Sequence, residues 1–538
     1  MCGIWAFIKN DNSLFNFYDY FMNIKHRGPD SSVYLTIKNT YIGFHRLGIL
    51  ETSLSGNQPF YLNNSVLICN GEIYNYKELI QKYNLNITNN CDCLVLLHLY
   101  KKLSQDDFIN VLKNDIKAEY SFIIFDFDEK NNLTKIIASR DHVGVRPLYI
   151  SNLHNNIIFS SELKGIPTSY LENVKEFPCG HLYINDIPNN DIKYIDYTTI
   201  YDIINLNDDI KDDLEIYLSD IRNSLITAVK RRLITDDNIN IGYYLSGGLD
   251  SSLLCAIAAK LQPNKKIKTF SIGFQDSTDL PYAKKVADFI GSDHTEVIIS
   301  HKDALDIIND VIYATCTYDI TTIRASCGQY LLSKYIKENT DIKVIINGDG
   351  SDEVLGGYLF NFNAPNPKSF DDSCKDLVKK IHMYDGRRLD RCLAYFGLEA
   401  RVPFLDIDFI KVIWNIPAYL RMPSYKNCEK YLLRKAFEGY LDNDCLFRTK
   451  EAFSDGISSN KNSFFKIIQD NLKDFPIFDN CPTSESSYYK FKFTNYFNNK
   501  CYSILPHYWK PNFQNSDNNY IDPSARVLDI YSNLKNKE

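Results

Sequence analysis

Over roughly the first 180 residues, hydrophobic positions come in short runs broken by Asn, Gly and Asp. Examples are SVLICNGEIYN (65–75), EYSFIIFDFD (119–128) and NNIIFSSEL (155–163). Runs of this length, bounded by turn formers, predict the strands of a packed β-sandwich with a few helices. A polar, acidic stretch from Ile187 to Asp213 predicts the interdomain link. Beyond it the period changes. LEIYLSDIRNSLITAVKRRL (214–233) has helical apolar spacing, and strand-like runs then alternate with helical ones: NIGYYLSGG, LDSSLLCAIAAKLQ, KIKTFSIGF, YAKKVADFIGS, HTEVIIS and DIKVIING. That alternation predicts a doubly wound α/β domain, a parallel sheet covered on both faces. Past about residue 370 the pattern is mainly helical. Two domains are therefore expected, residues 1–205 including the link and residues 206–538.

Bulk composition narrows the function. The chain of 538 residues is 44% hydrophobic and 24% charged, which is ordinary globular composition and too long for one core. A net charge of −7 argues against a nucleic-acid partner. No apolar run approaches the roughly 20 residues of a membrane span, and no basic-then-apolar leader opens the chain. A cytoplasmic protein with no membrane partner is expected, and its fourteen cysteines should be mostly reduced, buried thiols.

The strongest local signal is YYLSGGLDSS (243–252). An apolar strand ends in Ser246-Gly247-Gly248, and a helix begins near Asp250-Ser251-Ser252. The N–H groups of a Gly-rich turn and of a helix start suit a pyrophosphate, and Asp250 suits Mg²⁺. As a bare pattern it could be a tight turn with a helix cap. The spacing is not that of a Walker A loop. The other signal is at the start, MCGIWAF. A cysteine behind a removable methionine is either the first residue of a core strand or a nucleophile whose own α-amine is the base.

YYLSGGLDSS resembles the pyrophosphate loop of the ATP pyrophosphatases. VIINGDGSDEVLGGY (344–358), YDITTIRAS (318–326), LEARVPFLD (398–406), RTKEAFSDGI (448–457) and DPSAR (522–526) resemble one branch of them, the asparagine synthetases. The resemblance implies that Leu245, Ser246, Gly247, Gly248, Ser251, Ser252, Ile272, Asn347 and Gly348 bind ATP. It implies Asp250 and Asp352 as Mg²⁺–pyrophosphate ligands, Asp349 as the catalytic carboxylate residue where many relatives carry Glu, and Lys450 as the cation on the transferring phosphates.

In the first half, MCGIWAF, HRGPD (26–30), HRLGIL (45–50), NGEIYN (70–75) and SRDHVGVRPLY (139–149) resemble the class II glutamine amidotransferases. These are N-terminal-nucleophile hydrolases with an αββα sandwich, which becomes the expected fold of the first domain. Cys2 is then the nucleophile and Asn70 and Gly71 form the oxyanion hole. The resemblance further implies that Arg46 grips the glutamine α-carboxylate and Asp92 its α-ammonium, while Leu47, Gly48, Ile49, Leu50 and Glu72 line the pocket. Read alone, NGE also suits a hairpin turn.

Joined, the two resemblances imply a carbon–nitrogen ligase with glutamine as amide donor. Aspartate is activated by ATP–Mg²⁺ as β-aspartyl-AMP, and ammonia from glutamine displaces AMP to give asparagine, with pyrophosphate and glutamate as the other products. The partners are small molecules, and a homodimer is the assembly considered, though no residue pattern fixes it. Other amidotransferases, glucosamine-phosphate synthase and the phosphoribosyl enzyme, share the first half but lack SGGLDSS. A β-lactam synthetase keeps the loop and loses the cysteine. A relative that binds without catalysing remains open at this point.

Overall fold

The computed structural model describes residues 1–9, 17–189, 191–203, 214–513, 522–528 and 530–532. Among these, the first half is built on two six-stranded antiparallel sheets. One runs in the spatial order Val174–Glu176, Tyr149–Leu153, Asn156–Ser160, Gly3–Ile8, Thr40–Arg46, Ser31–Ile37. The other runs Asp191–Asp196, His181–Asp186, Leu133–Arg140, Ala118–Phe127, Ser65–Ile73, Phe60–Leu62.

The period of two along each strand explains the stacking. Ile4, Ala6 and Ile8 share one buried cluster with Val66, Ile68, Ile123 and Phe125, which is the core between the sheets. The alternate residues Leu67, Cys69, Phe122 and Ile124 pack instead on Leu79, Val95, Leu96 and Leu99, from the helices Tyr76–Lys82 and Leu94–Lys102. On the far side, Trp5 and Phe7 share a core with Phe21 and with Ile312 and Tyr330, so helices of the second half complete the outer layer. The expected αββα sandwich is present, with part of one helical layer supplied by the other domain.

Two local readings differ. NGE (70–72) lies inside the strand Ser65–Ile73 rather than in a turn. The acidic stretch expected as a link contributes the strand Asp191–Asp196, paired with His181–Asp186. It is an edge strand with mostly exposed side chains; Asp191, Ile192, Lys193 and Tyr194 do alternate, but the Pro188 and Asn189 just before them and the acidic residues around them read as a linker. The expected junction between residues 205 and 206 lies outside the described residues.

The second half is the predicted parallel sheet, in the order Asp293–Ile298, Lys268–Gly273, Asn240–Tyr244, Ile342–Ile346, Glu399–Arg401. Its cover includes the helices Leu214–Arg231, Leu249–Leu261, Leu280–Ile290 and Ile320–Asn339. The two central strands carry the site at their carboxyl ends, where a doubly wound sheet exposes backbone N–H groups and helix starts. The halves are tied by ion pairs: buried Arg27 grips Asp390 at 2.7 and 3.0 Å, and at the surface Lys343 reaches Asp30 at 2.7 Å. No helix among the described residues is long and apolar enough to cross a membrane.

Candidate active sites

Cys2 stands immediately before the strand Gly3–Ile8, whose pairing sets Gly3 opposite His45. That register brings the end of the neighbouring strand, Arg46, and the loop Leu47–Leu50 to the same edge. The second sheet contributes Asn70. Cys2 N donates to Asn70 Oδ1 at 2.8 Å, and Cys2 Sγ lies 3.9 Å from Leu47 O. With Asn70 Oδ1 so engaged, its Nδ2 is buried without a partner, an idle donor beside the thiol. Gly71 is required by packing: a Cβ there would come within 2.4 Å of Glu119 O. Burial pushes the Cys2 thiol up to about 11 while Met1 precedes it.

The rest of the predicted glutamine pocket gathers here. Leu47, Ile49 and Leu50 are buried, and Gly48 N donates to Asp30 Oδ2 at 2.8 Å. Asp92 Oδ2 accepts from Ile73 N at 2.6 Å, and burial pushes its carboxyl up to about 6. Glu72 keeps one carboxylate oxygen unpartnered. Arg46 differs from expectation. Its Nη1 donates to Ser53 O at 2.7 Å and Asn57 Oδ1 at 2.8 Å, and its Nη2 donates to Glu51 O. To grip a carboxylate in a fork, the guanidinium has to exchange those loop oxygens for it.

The second site is made by two parallel strand–turn–helix units side by side. Asn240–Tyr244 runs through Leu245-Ser246-Gly247-Gly248 into the helix Leu249–Leu261, and Ile342–Ile346 runs through Asn347-Gly348-Asp349-Gly350 into Ser351–Leu355. Gly247 has φ +78°, and a Cβ on it would meet Ala283 N at 2.4 Å, so the turn needs glycine. Leu245, Ser246, Gly248, Ser251, Ile272, Asn347 and Gly348 line one cavity of about 180 Å³. Ser252 is buried behind it with its hydroxyl unpartnered.

Asp250 and Asp352 lie in the first turns of the two helices and meet across the cavity. Lys430 Nζ bridges them, 2.7 Å from both Asp250 oxygens and 2.6 Å from Asp352 Oδ1. Lys450 Nζ donates to Asp352 Oδ2 at 2.6 Å. Burial opposes ionisation of Asp352, but the two ammonium groups outweigh it and hold the carboxyl well below its ordinary range. Asp349 is buried too, and burial pushes it up to about 6 against the pull of Arg388. Arg388 Nη2 donates to Asp349 Oδ1 at 3.0 Å and to Asp385 Oδ1 at 3.0 Å, which leaves Asp349 Oδ2 unpartnered.

Among the described residues no group of three or more His, Cys, Asp or Glu is arranged to hold a metal by itself. Two carboxylates beside a phosphate-binding turn do fit Mg²⁺, which is commonly held by one or two carboxylates plus the substrate's phosphates.

Sequence reasoning missed Lys430, Arg388 and Asp385. It also missed Glu399, inside a motif it had quoted. Glu399 Oε2 accepts from the Met1 α-ammonium at 3.0 Å and Glu399 Oε1 from Arg401 Nε at 2.8 Å. Burial opposes its charge, but that ammonium, Arg401 and Arg146 hold the carboxyl down at about 2. Glu399 belongs to the synthetase-side sheet yet touches the residue before the thiol. A lone carboxylate or lysine far along the chain carries no local signal of such a role.

Comparison with known proteins agrees with this two-site geometry. The glutamine amidotransferase domain model matches residues 1–195, and the asparagine synthase model matches residues 220–374 and 363–501. The chain is 38% identical over 565 residues to a probable glutamine-hydrolysing asparagine synthetase of Acanthamoeba polyphaga mimivirus, covering 98% of this chain and 100% of that one. It is 37% identical over 574 residues to the glutamine-hydrolysing asparagine synthetase of Cricetulus griseus, covering 99% of each. A solved glutamine phosphoribosylpyrophosphate amidotransferase from B. subtilis aligns at 14% identity with a TM-score of 0.31, over 57% of this chain and 92% of that one, too loose a likeness to bear on function. Both halves match in chain order and the relatives align end to end, so the chain belongs to the asparagine synthetase family.

Proposed function

We propose that this chain is a glutamine-hydrolysing asparagine synthetase: it converts aspartate, glutamine, ATP and water to asparagine, glutamate, AMP and pyrophosphate. One observation carries the reading. The strand Glu399–Arg401 pairs with Ile342–Ile346, the strand that leads to Asp349, and its Glu399 lies against the residue preceding Cys2. A thiol site and a phosphate-binding site thus share one three-residue strand, as a reaction that passes ammonia from one to the other requires.

At the first site, removal of Met1 frees the Cys2 α-amine to act as base. The thiol attacks the glutamine amide carbonyl, and Asn70 Nδ2 with the Gly71 N–H stabilises the oxyanion. Ammonia leaves and water releases glutamate. Asp92 pairs with the substrate α-ammonium and Arg46 with its α-carboxylate, within walls formed by Leu47, Gly48, Ile49, Leu50 and Glu72.

At the second site, Leu245 and Ile272 flank the nucleotide base. The turns Ser246–Gly248 and Asn347–Gly348 with Ser251 and Ser252 take the phosphates. Asp250 and Asp352 would hold Mg²⁺, which would supply positive charge to neutralise the phosphates. Lys430 and Lys450 pair with those carboxylates and are placed to follow the pyrophosphate. The Asp349 carboxylate orients ammonia on the aspartyl carbonyl and takes its proton, expelling AMP.

This chemistry uses soluble substrates and fits a cytoplasmic enzyme; a homodimer is the assembly we adopt, to be checked by light scattering. The decisive experiment is to mix the chain with aspartate, ATP and Mg²⁺, then add glutamine. Pyrophosphate and asparagine should form, and a chain that releases neither is not a synthetase.

A further inference from the structure

Between the two sites lies a buried ionic cluster that neither half-reaction uses. Glu119 is in the strand Ala118–Phe127, opposite Glu72 on Ser65–Ile73, and is 2% exposed. Its Oε2 accepts from Arg146 Nη2 at 3.0 Å, and its Oε1 accepts from Arg232 Nε at 2.9 Å and from Val402 N at 3.4 Å. Arg146 Nη2 also donates to Ala400 O at 2.9 Å. One carboxylate of the first half thereby fastens an arginine of its own domain and two segments of the other, Arg232 and the 400–402 backbone.

Around it, several buried polar atoms have no hydrogen-bond partner: Arg146 Nε and Nη1, Arg401 Nη2, Tyr74 Oη and Glu72 Oε2. Arg401 Nη2 is only 3.5 Å from Glu72 Oε1 as an ion pair, and unsatisfied buried polar atoms in this number call for an explanation beyond packing. They lie beside the strand that joins Cys2 to Asp349.

We propose that Glu119 is a positioning residue of the domain junction, holding Arg146 and the 400–402 segment together so that ammonia released at Cys2 reaches the aspartyl adenylate rather than solvent. The proposal rests on the synthetase reading above. If the carboxylate is neutralised, Arg146 keeps Ala400 O at 2.9 Å and Glu399 only at 4.0 Å. A buried cation left so poorly compensated moves or admits water.

The test is the ratio of glutamate to asparagine formed, with free ammonia measured in the medium. In wild type the ratio should be near unity. Glu119→Gln should raise it on the order of two- to five-fold, since breaking one member of a buried charge cluster opens the contact. Ammonia-dependent synthesis and the KM for glutamine should stay near wild type. Glu119→Asp, which keeps the charge, should restore most of the coupling. Arg232→Lys loses the Nε donor but keeps the cation, and should leak in the same direction if Glu119→Gln does not fold. An unchanged ratio in the folded variants overturns the proposal, as does an equal fall in both half-reactions, which is what mere destabilisation gives. Wild type that makes no asparagine from glutamine would instead remove the synthetase reading itself.

Discussion

The Met1 α-ammonium and Glu399 Oε2 meet at 3.0 Å in full burial. In this form the α-amine belongs to the wrong residue: Cys2 N is an amide, donating to Asn70 Oδ1 at 2.8 Å, and has no lone pair to offer. A free amine with pKa about 7.7–8.0 appears at that nitrogen only when Met1 is removed. The active protein should therefore begin at Cys2, one methionine lighter by intact mass. Full glutaminase activity in protein that retains Met1 would end the N-terminal-nucleophile mechanism.

Cys2→Ala should separate the two sites. The thiol acts only on the glutamine amide, so glutamine-dependent synthesis should fall by on the order of 10³-fold or more. Ammonia-dependent synthesis should persist, because the cavity around Asp349 and Lys450 contains no atom of Cys2. Parallel assays with glutamine and with ammonium check this. Equal loss in a folded variant would contradict the division of labour.

What could be read from the chain was whatever is local. The loops at 246–252 and 347–352 announce themselves because strand, glycine turn and helix start are contiguous. The sandwich strands show because apolar runs there are bounded by turn formers. Asp191–Asp196 was hidden because its short alternation, Asp191 to Tyr194, follows Pro188 and Asn189 and sits among acidic residues that look like a linker. NGE was ambiguous because the close approach that demands Gly71, 2.4 Å to Glu119 O, comes from a strand almost 50 residues later. Lys430 and Arg388 could not be found at all. Each acquires its role only when distant chain, the crossover before Glu399–Arg401 for Arg388 and the helical region after it for Lys430, returns to Asp349 or Asp250, and nothing in the flanking residues records that.

Arg46→Lys should raise the KM for glutamine. The guanidinium serves three loop oxygens, on Glu51, Ser53 and Asn57, and a lysine cannot span them from one nitrogen. Losing a hydrogen bond to a charged group is worth about 1.5–3 kcal/mol, or on the order of tenfold or more in KM if the 51–57 loop shapes the pocket. Steady-state kinetics in glutamine decide, and an unchanged KM removes Arg46 from the site.

Lys430→Met should destabilise the free enzyme more than the liganded one. Its ammonium is the bridge between Asp250 and Asp352, and removing one partner of a buried ion cluster costs about 3–5 kcal/mol. Mg²⁺ arriving with ATP replaces the missing positive charge, so thermal unfolding should shift upward with MgATP by more in the variant than in wild type. An equal shift in both would mean that the two carboxylates do not share the metal.

Asp349 offers the sharpest test. Burial pushes its carboxyl up to about 6, partly offset by Arg388, and its Oδ2 has no partner. The ionised form is the one that can orient ammonia and take its proton, so activity should be present above that value. It should fall as pH drops through about 6. The assay holds free ammonia constant at each pH, which removes the titration of the substrate itself. Asp349→Asn keeps the size and loses the acceptor, so asparagine formation should fall by on the order of 10²-fold or more, and the limb near pH 6 should vanish with it. ATP binding should survive, because the proposed phosphate contacts come mainly from residues 246–252. Asp349→Glu should be tolerated: the site positions a carboxylate between Arg388 and the cavity, and one more methylene moves it toward the space where ammonia arrives. If the Asn variant matches wild type and keeps the same pH limb, the proton is taken by another group, and the unpartnered oxygen of Asp349 has no part in the reaction.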